Sequence, residues 1–479
     1  MTGSGGAAGG DASQGGKGGG ASGGSGGMLP AGSGGHAGPI GGAGGSASGG
    51  SASGGGGSAG SGGSAGSGGS AGAGGSAGAG GGGAARSLTK PVMMNDVSVL
   101  FPIGTAADYS SGHLRADAMG ARGVLFPSAV AEKLPITGSA ASAGIGGPTL
   151  APHANLRVVG VRLDPCFAEL HVSLTTTCKN QIRLVFQELH ASGDGVAAYD
   201  SGIHALYSIT REELLAIANE IVRLREAAGG QGGKGPLAPH KLMQTQGLMG
   251  SFSMALQKLI LQYAGEQNLV RATALTESNA GFNWSFTGVD VADGGRTTTA
   301  IAIATLPATG TMKATSEIFF RGFATSTDPV GSFTPMPTGP DDFTILADAK
   351  SASTLSAPEK AKLATALAHV DNPTITTPDT VDCARCHTAT PLGQNVARDR
   401  LMVLETSDAD AFKPDGHWVT AEEMATTDFR FGSAENGGVP AVNVHAFSYA
   451  NGIPAINQRT VNETAAVVAF LNDSFLARP

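Results

Sequence analysis

The sequence predicts three parts: a disordered Gly-rich N-terminus over residues 1–86, an α+β domain with a mostly antiparallel sheet over 87–340, and a small, mainly α C-terminal domain over 341–479. Three observations carry this division. Residues 1–86 are almost wholly Gly, Ser and Ala, in runs such as GGSAGSGGSAGAGG, and hold more than half of the chain's 76 glycines. Beyond them, runs of alternating apolar residues are interleaved with runs of helical apolar period. From about Asp341 short helical patterns surround the segment VDCARCHTAT, Val381 to Thr390.

The N-terminal tract has no apolar area to bury. Ordering it would cost about 1–2 kcal/mol per residue with nothing in return, so it is expected to be a flexible linker. The remaining residues are numerous enough for two domains with separate cores.

In the central part, Asn155–Pro165 (NLRVVGVRLDP) alternates through Val159, Val161 and Leu163, and Gln181–Leu189 (QIRLVFQEL) through Ile182, Leu184 and Phe186. Two adjacent antiparallel strands fit. Cys166 follows the first and Cys178 precedes the second, so a disulfide would staple the connection, at about 3 kcal/mol on the loop-entropy view. The other reading is a pair of buried thiols. SITREELLAIANEIVRLREAAGG then opens on Thr210 and Glu213 at capping-box spacing, places Leu214, Ile217, Ile221 and Leu224 on one face, and stops at Gly229. A second helix is expected over Gly247–Gly265. Three strand-like runs follow, NLVRATALTES, TTTAIAIATLP and TMKATSEIFFRGF, with Trp284 between the first two.

In the last part, Ser356 and Glu359 form a second capping pattern, ahead of a helix with Leu363, Leu367 and Val370 on one face. Thr460 and Glu463 form a third, ahead of a helix with Val467, Val468, Leu471 and Phe475 directed inward.

Several classes of function are disfavoured. The net charge of -8 and the lack of a dense Lys/Arg stripe argue against a nucleic-acid partner. No run of about 20 apolar residues suggests a transmembrane segment. In the central part no GxSxG, HExxH or GxxxxGK[ST] motif points to a hydrolase or transferase. GxGxxG occurs in the glycine tract by composition alone. His171, His190, His204 and His240 are scattered and read as surface or satisfied core histidines, and Asp164 and Glu188 as lone acids.

One motif carries chemistry. Cys383-Ala-Arg-Cys386-His387 puts two thiols and an imidazole within five residues of a chain with only four cysteines. A zinc site or a redox thiol pair could use the same residues, but neither a second close pair nor a thioredoxin-like βαβ context accompanies them.

With its flanking helices, this segment resembles the c-type cytochromes over roughly the last 130 residues. The resemblance implies one covalently attached haem c, with thioethers at Cys383 and Cys386 and His387 as proximal iron ligand. It implies electron transfer with an unidentified redox partner protein. That family usually supplies a sixth ligand from a Met-Pro loop, and no Met-Pro follows His387 here. The candidates are Met402, Met424, His417 and His445. His445, in a Pro/Gly loop before the last helix, is preferred, with Met424 second; an open position is the third possibility. The alternative function is a surface binding or structural protein whose CxxCH is a zinc or thiol site.

Haem attachment and a disulfide both belong outside the cytoplasm. The residues after Met1, MTGSGGAAGG, lack the charged and apolar regions of an export signal. The arrangement also resembles exported bacterial lipoproteins, in which a Gly/Ser spacer follows a lipidated cysteine. A periplasmic or cell-surface location, a true start upstream and a possible lipid anchor there are therefore expected.

Overall fold

Long alternating segments make the sheet that organises the molecule. The structure, a computed structural model, describes residues 87–104, 112–134, 153–165, 179–192, 195–278, 283–300, 356–376, 386–387, 389–391, 393–394, 411–426, 444–450 and 452–477. The strands among them are β1 (Ser98–Leu100), β2 (Met119–Gly120), β3 (Gly123–Val124), β4 (Leu156–Asp164), β5 (Gln181–Ser192), β6 (Gly195–Ser208), β7 (Leu269–Ser278), β8 (Asn283–Ala292), β9 (Thr297–Ala300), β10 (Phe447–Ala450) and β11 (Ile453–Ile456). Seven form one sheet in the order β1-β4-β5-β6-β7-β8-β9, antiparallel at every pairing. The expected α+β character and mostly antiparallel sheet are thus observed, including the adjacent β4 and β5.

The fully described helices are α1 (Met94–Val97), α2 (Ser128–Ala131), α3 (Arg211–Ala227), α4 (Lys241–Gln246), α5 (Ser251–Tyr263), α6 (Ala357–Asp371) and α7 (Gln458–Phe475). The expected Thr210 capping box is present: Thr210 Oγ1 accepts from Glu213 N–H at 3.1 Å and Glu213 accepts from Thr210 N–H at 2.9 Å. Ser356 donates its N–H and its hydroxyl to Glu359, at 2.8 and 2.7 Å. The third expected cap is different. Asn457 caps α7, its side chain accepting from Thr460 N–H at 2.8 Å, so the helix starts before Thr460 and leaves Glu463 one turn inside it. No described helix is long and apolar enough to cross a membrane.

Register assigns each face of the sheet its role. Val161, Leu184 and Ala205 are cross-strand neighbours, as are Leu163, Ile182 and Tyr207. They share one apolar face and one core with Leu214 and Ile217 of α3 and Phe252 and Leu256 of α5. The neighbouring positions point to the other face: Arg162 beside Arg183, and Gly160 beside Val185 beside His204. This face is mixed, and segments from the C-terminal third cover it.

The described residues of the C-terminal third pack with the sheet. Ala77–Pro479 form one compact unit, and Phe447, Tyr449, Ile456, Val461 and Val468 belong to the same hydrophobic core as the sheet. Phe447 lies over Gly160, where an added Cβ would stand 3.0 Å from its ring. The Gln187 amide donates to Tyr449 C=O at 2.8 Å and accepts from Tyr449 N–H at 2.8 Å, replacing a strand partner for β10. Asn472 of α7 does the same for the backbone of Val92, at 2.9 and 3.0 Å. The small, mainly α C-terminal domain expected from the sequence is therefore replaced by a β10–β11 hairpin and two main helices docked on a shared sheet. Residues 1–86 and the run TMKATSEIFFRGF lie outside the described residues.

A second buried link fixes α3. Arg225 and Asp96, each 1 % exposed, form an ion pair, and Asp96 also accepts from Met93 N–H at 2.8 Å. Burial pushes Asp96 up to about 6 against the opposing pull of Arg225, so the carboxylate is ionised at neutral pH. Arg225→Leu would leave it buried without its counter-charge, at an expected cost of about 3–5 kcal/mol in urea denaturation, with Asp96→Asn/Arg225→Leu together costing clearly less. A double variant no better than the single would show that the charges are not coupled.

Candidate metal centre

Cys386 and His387 are held by the start of α7 and by the chain that leads into the β10–β11 hairpin. Cys386 and His387 are helical. The Asn457 side-chain amide donates to Cys386 C=O at 3.3 Å while its oxygen caps α7. Three residues beyond His387, Thr390 Oγ1 accepts from Gln458 N–H at 2.8 Å and its hydroxyl donates to Asp371, the last residue of α6, at 3.4 Å. One residue type at one position, Asn457, thus sets both the helix start and the approach of the motif.

His387 is oriented by backbone. Its Nδ1 lies 2.7 Å from Val444 C=O. A carbonyl can only accept, so Nδ1 carries the proton and Nε2 carries the lone pair. Burial pushes its pKa down to about 4, with the Val444 carbonyl opposing, so the ring is neutral at physiological pH. A neutral imidazole with one nitrogen tied to a carbonyl is the form in which histidine binds metals.

The ring beside it is His204 of β6, with centroids 5.8 Å apart and planes inclined by 39°. Burial holds its pKa well below the ordinary histidine range, and the guanidiniums of Arg183 and Arg162 act in the same direction. From the sequence alone His204 reads as a surface or satisfied core histidine. Its only signal was a lone histidine in a run of small and polar residues.

Around these rings lies a buried charge network. Glu463 accepts from Arg162 at 2.9 Å and, through its other oxygen, from Arg459 at 2.7 Å. Burial acts to raise its pKa, but Arg459, Arg162 and Arg183 outweigh it and hold the carboxyl below the ordinary carboxylate range. Arg459 also donates to Val370 C=O at 2.8 Å and Thr376 C=O at 2.6 Å, fixing the chain that leaves α6. Arg183 pairs with Asp164 at 2.5 Å. Asp164 is therefore engaged, as is Glu188, which accepts from Asn155 at 3.0 Å.

The other sequence candidates are placed as follows. His445 is 1 % exposed, with Nδ1 2.8 Å from Ser448 Oγ. Met424 ends a 3-10 turn, Glu422–Met424, and packs partly buried on the main core. His417 is exposed against the Trp418 ring at 4.4 Å. His190 lies on Tyr199 at 4.1 Å, and His240 stacks on Phe252 at 4.5 Å. Cys383, Met402, His171 and both cysteines of the expected disulfide, Cys166 and Cys178, lie outside the described residues. Among the described residues, no three His, Cys, Asp or Glu side chains converge as they would around an ion held by protein alone. Comparison with family models, curated proteins and solved structures gives no match.

Asp371 supplies a pH test of this packing. Burial raises its pKa from 3.8 to about 7, against Arg459 and Thr390, so the folded protein keeps a proton that the unfolded chain releases. Its contribution to stability is full below about pH 4 and is lost as pH rises towards about 7. Asp371→Asn is expected to flatten that part of the stability–pH curve, measured by denaturant unfolding from pH 4 to pH 8. An unchanged slope would mean that Asp371 is ionised throughout.

Proposed function

We propose that the protein carries one haem c, covalently attached through Cys383 and Cys386 with His387 as the proximal ligand, and that it transfers electrons outside the cytoplasm. The observation that carries this reading is the Val444 carbonyl on His387 Nδ1, at 2.7 Å, directly after the CxxC spacing. It holds the ring in the tautomer whose Nε2 can bind iron, and a donor–acceptor contact of this kind raises ligand basicity. A haem asks little else of the protein as metal ligand, because the porphyrin supplies four nitrogens. When bound, it supplies reversible one-electron chemistry.

The chain's own residues do the rest. Cys386 is held through its carbonyl by Asn457, on the same turn as His387. The guanidiniums of Arg162 and Arg183 act on the site from the sheet, with Glu463 and Asp164 as counter-charges. The redox partner is a protein still to be identified. The Gly/Ser tract would serve as a tether to a lipid anchor upstream, at the periplasmic or cell surface.

The test is expression of the full chain with a cytochrome c maturation system, followed by spectra of the oxidised and dithionite-reduced protein and haem staining of a denaturing gel. The expected result is a sharp reduced α band and a stain that survives denaturation. Cys386→Ala should lose most of the stain. A colourless wild-type protein that binds zinc stoichiometrically would overturn the proposal in favour of a metal or thiol staple.

A further inference from the structure

We propose that His204, from the central sheet, is the second axial ligand to the iron; this rests on the haem reading above and extends it to the role of the α+β sheet. The first ground is distance. A metal–imidazole bond of about 2 Å, with the ring centre about 1 Å beyond the nitrogen, puts two rings on opposite sides of one ion roughly 6 Å apart. The centroids of His204 and His387 are 5.8 Å apart. Axial rings turn freely about the metal bond, so their mutual inclination of 39° is compatible with that role.

The second ground is how the neighbouring rings are used. His387 and His445 each engage Nδ1, on Val444 and on Ser448, whereas the half-buried ring of His204 lies beside His387.

The third ground is side. His445 follows Val444, whose carbonyl lies on the Nδ1 edge of His387, whereas a second axial ligand must approach from beyond Nε2. His204 comes from a different element, strand β6, in register with Val185 and Gly160 on the sheet face that the C-terminal segments cover. Coordination needs no redox step: His204 donates a lone pair from one nitrogen and keeps its proton on the other.

The experiment uses the full chain matured with haem, as wild type, His204→Leu, His204→Met and His445→Ala. Covalent stain reports attachment, and electron paramagnetic resonance with the visible spectrum reports spin state. The wild type and His445→Ala are expected to be low-spin. His204→Leu should keep the stain but lose the low-spin signal, which added imidazole should restore. His204→Met, which keeps a ligating side chain, should remain wholly or partly low-spin and shows that the position tolerates change. A high-spin wild type, or a stained His204→Leu that stays low-spin, would overturn the ligand assignment while leaving the haem reading intact. A wild type without covalent haem would overturn both.

Discussion

The arrangement depends on one buried carboxylate. Glu463 sits within α7 and divides its two oxygens between Arg162 of the sheet and Arg459 one turn earlier. Buried charges of this kind are costly unless each is paired and fully hydrogen-bonded. Here each has further partners: Arg162 reaches Ser98 at 3.3 Å, and Arg459 reaches Val370 and Thr376. The network therefore joins strand β4, helix α7 and the exit of α6 in one geometry. Moving β4 from α7 would separate Arg162 from its counter-ion, and moving the exit of α6 would leave Arg459 without two acceptors.

That geometry brings the CxxCH segment to the sheet. With α7 fixed, Asn457 at its start holds Cys386, and the β10 hairpin just before it is docked by Gln187 and by Phe447 over Gly160. Val444, immediately before that hairpin, then orients His387. An arrangement built in this way holds the His387 imidazole by packing, against the sheet face that carries His204.

Different parts of this were legible in the sequence for different reasons. The β4 and β5 pair and helix α3 follow from local pattern, because alternation and a capping box act over a few residues. His387 was legible because CxxCH is a contiguous motif. His204 was not: GVAAYDSGIHALYS in β6 mixes small and polar residues, and nothing local ties that histidine to one 183 positions away. Thr460 and Glu463 show the limit from the other side. Their spacing matches that of Thr210 and Glu213, but Asn457 takes the cap and two buried guanidiniums take the glutamate. The packing of α7 and the β10 hairpin on the sheet was not legible for a related reason, since a hydrophobic face does not record which partner it packs against.

The central claim is that the sheet and the C-terminal third unfold as one body, so that one side of the site comes from each. Native-state hydrogen exchange on the full chain tests it most directly. The account predicts that the slowest amides of α7 open with the same free energy, and the same denaturant dependence, as those of β5 and β6. Exchange from α7 through a separate opening of clearly lower free energy, with the sheet still protected, would contradict it.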